Sequence, residues 1–325
     1  MSLLNFSSLE TLTAPCFVIT NVIAEESAAV TRMAITNLNC FFKKTPPLSP
    51  FIIIKDDSSS VNQRFKLLFE KISHFALQCI IFREKHDKER RDSMSDYVEM
   101  LAYFGVSGAH PGGIELTKTM MEHLHLASDD RILDVGCGTG QTAAYLGHLG
   151  YEVEAIDTHP LMIEKANLRF EREQLPFRAQ QASIEHLPFS DDSFSLLISE
   201  SVLSFTHLPA ALAEIKRVLA PGKQLIANEA VLKVPLPSKE QATIREFYGF
   251  HSLFSFSEWK RQLASAGFRD IQILSFDEHM VQEEPTEMEL SDQIPPSLYD
   301  TLQTHYDLIQ THREHLSHLV FECTV

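Results

Sequence analysis

From residue 131 onward, short apolar runs alternate with amphipathic stretches along this 325-residue chain. Arg131-Ile-Leu-Asp-Val135 reads as a strand that runs into a glycine-rich turn, and Tyr151-Glu-Val-Glu-Ala-Ile-Asp157 alternates polar and apolar positions as a second strand would. Leu196-Leu-Ile-Ser-Glu200 and Leu225-Ile-Ala-Asn-Glu229 carry the same signal. The segments between them have helical spacing. Gly150 ends the first intervening helix as a C′ glycine would, and Pro160 opens the next at its first position. Regular alternation of strand and helix predicts an α/β, doubly wound fold, a parallel sheet covered on both faces.

The flanks add detail. Residues 97–104 and 114–126 read as helices around the loop Ser107-Gly-Ala-His-Pro-Gly-Gly113. Prolines and then aromatics (Phe247, Tyr248, Phe250, Phe254, Phe256) interrupt the alternation over about 232–255, which reads as a lid insertion beyond the strand ends, where ligands bind in such folds. A helix over about 296–317 and a strand over 318–325 close the pattern. Residues 1–93 are less regular. Short strands are predicted around 16–20, 51–54 and 76–82, with a helix placing Phe65, Leu68, Phe69 and Ile72 on one face. The Pro-rich 44–50 stretch reads as a linker and the mixed charges of 83–92 as a solvated helix or linker. The chain accordingly divides into an N-terminal extension or small α/β unit, 1–93, of uncertain structure, and a main domain, 94–325.

Composition narrows the classes. Residues 1–93 hold 12 Lys+Arg against 10 Asp+Glu, while 94–325 hold 16 against 34, so a net of +2 and a net of −18 make up the chain's −16. So acidic a domain is a poor polyanion binder, because counterion release depends on basic side chains, and nucleic acid is disfavoured as a partner. The five cysteines (Cys16, Cys40, Cys79, Cys137, Cys323) have neither CxxC spacing nor a dense framework, which points to reduced thiols. The N-terminus lacks the basic start of a secretion signal, with Arg32 its first cation, and no apolar run approaches the ~20 residues that span a bilayer. These features predict a cytoplasmic protein without a membrane span; a homodimer stays open.

The candidate chemistry sits at the first turn, Asp134-Val-Gly-Cys-Gly-Thr-Gly140. Glycines at every second position let the backbone turn sharply and approach a ligand closely. Gln141 stands where a dinucleotide-binding G-x-G-x-x-G/A turn needs a small residue, and no Gly-Lys-Ser/Thr follows as a phosphate-cradling loop would require. Asp157, at the end of the next strand, is placed to accept from ribose hydroxyls. The D-x-G-x-G-x-G pattern with this acid resembles the class I S-adenosylmethionine-dependent methyltransferases; a purely structural turn in another α/β domain is the competing reading. Glu185-His-Leu-Pro-Phe189, Asp191-Asp-Ser-Phe194, the stretch from Ala211 to Pro221-Gly222 and that from Ser257 to Gly267-Phe268 are similar to that family's later motifs, in order, over about residues 94–325.

The resemblance implies a Rossmann-like seven-stranded sheet whose last strand runs antiparallel beside the fifth and sixth, and S-adenosylmethionine as cofactor. It places Gly136, Cys137, Gly138, Thr139 and Gly140 under the methionine and ribose, with Asp134 orienting the turn or the methionine ammonium. Asp157 would hold the ribose and Thr158 lie beside the adenine. Ser183 stands where relatives often have an aspartate for the adenine amine; Ile184 would add a backbone donor and an apolar wall. Glu200 and Ser201 would border the methionine end and the acceptor, and Tyr97 with the loop at His110 would help close the pocket.

Methyl transfer from a sulfonium is an in-line displacement that asks mainly for alignment and exclusion of water, so a base is harder to read than a binding residue. Candidates are His110, Glu200, His207, Glu229 and His251. Each has a plainer role: His110 as a loop former before Pro111, Glu200 as a cofactor ligand, His207 as a helix cap, Glu229 as a supporting partner. His305, His312, His315 and His318 invite a zinc reading, but with Leu302, Ile309 and Leu316 as the buried stripe of that helix, polar packing is the simpler expectation, and no metal is predicted. The fourth strand is followed by Ser199-Glu-Ser-Val202 rather than the Asn/Asp-Pro-Pro-Tyr/Phe of adenine and glutamine amine methyltransferases. The only Pro-Cys, Pro15-Cys16, lies outside the main domain, and only Cys137 and Cys323 lie within it, which removes cytosine C5 and arsenite methylation. A small organic molecule is left as the methyl acceptor. The alternative is a non-catalytic cofactor-binding or partner-regulating relative, or an enzyme that uses the cofactor differently.

Overall fold

The computed structural model describes residues 94–276 and 287–325; the strands, helix and linker expected within 1–93 lie outside them. The described part begins with α1 (Asp96–Phe104) and α2 (Gly113–His123). It continues through β1 (Arg131–Val135), α3 (Gln141–His148), β2 (Glu152–Asp157), α4 (Pro160–Arg172), β3 (Ala179–Gln181) and β4 (Phe194–Glu200). A 3₁₀ turn (Leu203–Phe205) leads to α5 (Leu208–Val218), β5 (Leu219–Leu232), α6 (Ser238–Tyr248), α7 (Phe256–Ser265), β6 (Arg269–Leu274), α8 (Ser297–His312) and β7 (Leu316–Thr324). The seven strands form one sheet in the order β3-β2-β1-β4-β5-β7-β6. β1 pairs in parallel with β2 and β4, and β4 with β5. β7 is antiparallel to both β5 and β6, as expected.

Alternation along the strands sends side chains to two cores. Leu133, Val135, Leu197 and Leu225 pack with Ile215 of α5 and Trp259 of α7. Ile132, Leu196, Ile198 and Ile226 pack with Met120 of α2, Leu146 of α3 and Phe170 of α4. Trp259 is fully buried and donates its indole N–H to the Ala230 carbonyl at 3.1 Å, so its polar end is satisfied inside the core. A third cluster joins Met100 and Phe104 of α1, Ile244 and Tyr248 of α6 and Leu298 of α8 with Leu232 and Leu236 at the end of β5. The 232–255 insertion is therefore built around a helix whose aromatics pack together: Tyr97 and Tyr248 meet edge-on at 4.7 Å and Tyr248 stacks on Phe250 at 5.0 Å.

Local chemistry sets the element ends. His159 occupies the N-cap of α4 ahead of Pro160, and its Nδ1 accepts the Leu161 N–H at 3.2 Å. Gly150 follows α3 with φ +90°, as a C′ glycine does. Several boundaries differ from the sequence reading. β5 begins at Leu219, not 225, because Pro221-Gly222 forms an irregularity within the strand rather than a break before it. α2 stops at His123, where Leu124 turns to extended backbone. α8 stops at His312, and β7 starts at Leu316 in register with Leu232. The expected stripe of α8 is also corrected. Ile309 is 42% exposed, whereas Leu298 and His312 are buried. Packing on α1 and α6 rotates the helix so that His305 faces inward, its Nδ1 3.0 Å from the Tyr248 hydroxyl.

Candidate active site

The parallel strands β1, β2, β4 and β5 all end on the same side of the sheet, and the candidate residues gather there. After Val135 the chain turns through Gly136, Gly138 and Gly140, all at positive φ. The Cys137 N–H donates to the Ile156 carbonyl at 2.9 Å, which ties the turn to β2, and the Gly140 N–H donates to the Cys137 carbonyl at 2.8 Å. A Cβ on Gly136 would collide with Val202, whereas one on Gly138 would meet nothing within 4 Å. The turn is packed on one side and open on the other.

Asp157 braces that open part. Its Oδ2 accepts the Gly138 N–H at 3.0 Å and its Oδ1 accepts the His159 N–H at 2.7 Å. Each carboxylate oxygen has two lone pairs, so both retain acceptor capacity. Desolvation pushes the Asp157 carboxyl up, and the two backbone donors pull it partly back. Asp134 is 2% exposed, and its Oδ2 has no hydrogen-bond partner. Burial, then the charges of Glu200 and Asp157, hold its carboxyl well above the usual range, while the Ala143 N–H opposes them. Cys137 sits under the same turn, its thiol pushed up by burial and by both aspartates, so it is a buried neutral thiol and no nucleophile.

Glu200 is brought to the same place from the end of β4. Its Oε1 accepts from Thr117 Oγ1 and its Oε2 from Thr142 Oγ1, each at 2.7 Å. Its Oε1 also lies 3.4 Å from His110 Nε2, with both side chains only 6% exposed. Asn228, fully buried on β5 and in register with Glu200, donates from Nδ2 to the Pro111 carbonyl at 2.9 Å and faces His110 Nδ1 at 3.4 Å. The loop carrying His110 is thereby fastened over the ends of β4 and β5. Asp134, Glu200 and Asp157 converge as three carboxylates, with an unpaired buried oxygen and the open space at Gly138 beside them. Such an arrangement suits a ligand that brings positive charge and hydroxyl donors.

The other candidates fall elsewhere. Glu229 is a correction. It is fully buried, and its carboxylate accepts from Ser199 Oγ (3.2 Å), Val202 N (3.0 Å), Leu203 N (2.8 Å), Ser204 N (3.2 Å) and Ser204 Oγ (3.0 Å). With its lone pairs spent on that turn it is a structural brace and not a base. His207 and His251 are exposed. His207 holds the N-cap position of α5 without a side-chain cap bond; its backbone N–H donates to Glu185 Oε1 at 2.9 Å and its carbonyl accepts from the Ala210 N–H at 2.9 Å and the Ala211 N–H at 3.2 Å. The His251 N–H donates to the Ser204 carbonyl at 2.8 Å. Ser183 uses its hydroxyl to accept the Glu185 N–H at 3.2 Å, and Ile184 is buried against the core. Thr158 is exposed with its carbonyl accepting from Gln181 at 2.8 Å, and Ser201 adopts φ +60° with its N–H on the Asn228 carbonyl at 2.7 Å. Tyr97, from α1, is buried among Phe247, Tyr248 and His305, and burial raises its phenol. Among the described residues no group of three or more His, Cys, Asp or Glu could hold a metal ion.

Sequence reasoning missed Thr117, Thr142, Asn228 and Arg169. Asn228 left a trace, an amide inside an apolar strand. Arg169 left another, a cation on the apolar face of α4 beside Ala166 and Phe170.

The sheet order, the antiparallel β7 between β5 and β6, and a glycine turn braced by the acid ending β2 define a class I methyltransferase architecture. The profile of the family described as methyltransferase domain matches residues 133–227. The chain is 52% identical over 229 residues to an uncharacterized methyltransferase, YodH, of Bacillus subtilis (strain 168), an alignment covering 70% of this chain and 98% of that protein. It belongs to this family, the S-adenosylmethionine-dependent methyltransferases. A malonyl-[acyl-carrier protein] O-methyltransferase of Paenibacillus sp. (strain JDR-2) is 30% identical over 172 residues, 48% of this chain and 62% of that one. Among solved structures, Haemonchus contortus phosphoethanolamine N-methyltransferase 2, in complex with phosphomonomethylethanolamine and S-adenosylhomocysteine, shares the fold. Its TM-score is 0.58 at 16% identity, with 70% of this chain and 57% of that one covered.

Proposed function

We propose that this protein transfers a methyl group from S-adenosylmethionine to a small organic acceptor at the ends of β1, β2, β4 and β5. The carrying observation is the convergence of Asp134, Glu200 and Asp157 on a turn that is open at Gly138, with one Asp134 oxygen buried and unpaired. A donor with a sulfonium and an ammonium relieves the mutual repulsion of these carboxylates, and ribose hydroxyls are donors for the remaining lone pairs of Asp157. Asp134 and Glu200 take the methionine end and Asp157 the ribose; Gly136, Cys137, Thr139 and Gly140 form the floor. Thr158, Ser183 and Ile184 border the adenine, where the Ser183 hydroxyl is already shared with the Glu185 N–H and gives a weaker contact than an aspartate would. Ser201 borders the methionine end and the acceptor, and the loop at His110 closes the pocket, with Tyr97 supporting that cover from α1.

The donor, when bound, supplies an activated methyl whose carbon–sulfur electrons return to sulfur as the acceptor's lone pair forms the new bond. The protein's part is alignment and exclusion of water. His110, held between Glu200 and Asn228, covers the site. The ring places Nε2 3.4 Å from Glu200 Oε1 and Nδ1 3.4 Å from Asn228 Nδ2, so either nitrogen can serve as donor or acceptor toward a bound acceptor. A small acceptor fits the acidic domain, which is poorly suited to a polyanionic one. The test is to incubate the protein with methyl-labelled S-adenosylmethionine and a panel of small hydroxyl, carboxyl, amine and thiol compounds. Label appearing in an acceptor with release of S-adenosylhomocysteine supports the reading. Donor binding with no transfer to any member, nor to a small-molecule cell extract, counts against it.

A further inference from the structure

The buried guanidinium of Arg169 has no part in the chemistry just described, yet it joins three separate pieces of chain. It is 5% exposed and rises from the apolar face of α4. Its Nε donates to the Thr139 carbonyl, in the glycine turn, at 2.9 Å. Its Nη2 donates to Ser107 Oγ at 2.9 Å and to Glu287 Oε2 at 2.8 Å, and Nη1 reaches Glu173 Oε1 at 3.4 Å. Ser107 and Thr139 share a direct hydroxyl contact at 2.8 Å. Ser107 begins the loop that carries His110.

The third piece, residues 287–291, lies along the start of that loop. The Ser107 N–H donates to the Glu287 carbonyl at 2.9 Å, the Glu289 N–H to the Gly105 carbonyl at 3.0 Å and the Ser291 N–H to the Tyr103 carbonyl at 2.9 Å. Lys165, one turn before Arg169 on α4, donates to the Glu289 carbonyl. The stretch 103–107 and the strap 287–291 thus form one layer, nailed to α4 by two cations and to the turn by Arg169, by the Ser107–Thr139 hydroxyl contact and, next to the turn, by Gln141 Nε2 on Glu287 Oε2 at 3.4 Å. A planar guanidinium can serve several acceptors in different directions at once; a lysine ammonium in its place cannot reproduce that fork.

We propose that Arg169 is a positioning residue that couples the glycine turn to the roof formed by residues 103–113 and 287–291, so that occupancy of the donor site and closure of the roof are one event. The inference rests on the donor-site reading above. A ligand that orders the turn fixes the Thr139 carbonyl, which fixes the guanidinium, which holds Ser107 and Glu287. Glu287 lies at the outer end of this chain of contacts, its side chain 44% exposed, so it can be changed with little risk to the fold.

The experiment is hydrogen exchange on the full chain with and without S-adenosylhomocysteine, together with its dissociation constant, for the wild type, Arg169→Met, Arg169→Lys and Glu287→Ala. In the wild type the ligand slows exchange in the turn, in 103–113 and in 287–291. In Glu287→Ala the slowing persists in the turn and is reduced in 287–291. In Arg169→Met it is lost in both roof segments and the dissociation constant rises at least about tenfold, with no rescue by Arg169→Lys. If Arg169→Met does not fold, Glu287→Ala decides alone. Wild-type affinity in Arg169→Met, or ligand-dependent slowing of 287–291 undiminished in Glu287→Ala, overturns the coupling. A wild type that does not bind S-adenosylhomocysteine overturns the donor-site reading itself, a different result.

Discussion

Asp134, Gly138 and Asp157 divide the work of the site into charge, space and bracing. Asp157 holds the Gly138 and His159 N–H groups and is proposed to hold the ribose. Asp157→Ala should weaken S-adenosylhomocysteine binding by about 1–3 kcal/mol, the value of lost charge-assisted hydrogen bonds, and calorimetry reads this directly. Gly138 separates space from stability. A Cβ there meets no protein atom, so Gly138→Ala should cost only about 1–2 kcal/mol for its left-handed backbone in a urea titration, while donor affinity falls because the added methyl occupies the ligand's place. A variant that folds and binds normally would remove the donor from this turn. Asp134 sets the pH dependence. Its folded carboxyl is raised by burial and by Glu200 and Asp157, so the unfolded chain releases its proton first. The stability this group contributes is complete below its unfolded value and is lost as pH rises through the raised one. A cationic ligand favours the ionised form, so binding should release a proton and tighten as pH rises over that window. Calorimetry in buffers of different ionisation enthalpy measures the release; enthalpies independent of buffer would contradict it. The glycines and both aspartates were legible in the sequence because turn chemistry and strand ends are local. Thr117, Thr142 and Asn228 were not, since only the fold brings them to Glu200 and His110.

At the scale of elements, one buried carboxylate holds the end of β4 to β5. Glu229 gathers the N–H groups of Val202, Leu203 and Ser204, and Val202 in turn packs against Gly136. The route runs from β5 through the 3₁₀ turn to the glycine turn. Burial raises the Glu229 carboxyl while the backbone and Ser204 donors oppose it. Glu229→Gln replaces one acceptor oxygen by an NH₂ that meets donors, and should cost about 2–4 kcal/mol in denaturant unfolding. A change under about 0.5 kcal/mol, the usual surface value, would show that the network carries no stability. Sequence alone offered Glu229 as a base because a carboxylate at a strand end looks the same whether it faces ligand or backbone. The Ile309 stripe failed for a related reason. Periodicity finds an amphipathic helix, but the face it buries depends on its neighbours, here α1 and α6, which select Leu298 and His312. The strands were read well because both faces of a parallel sheet are covered, so their apolar runs stand out.

For the whole molecule, the order of motifs from Arg131 to Phe268 predicted the seven-stranded sheet and its antiparallel β7, and the 52% identity to YodH over nearly all of that protein places the chain in the same family. Element order is cooperative information: each strand and turn agrees with the next, which outweighs errors of a few residues at the ends. The net charge of −16 predicts that the protein will not retard duplex DNA at physiological salt, which a gel-shift titration checks. Among the described residues no helix is long and apolar enough to cross a membrane. The turn between β1 and α3, braced by Asp157, is proposed as the seat of a methyl donor. Calorimetric titration of the wild-type chain with S-adenosylhomocysteine tests it most directly. Saturable binding with one ligand per chain, weakened in Asp157→Ala, is expected; absence of binding to the folded protein, or equal affinity in the two proteins, would place the donor elsewhere.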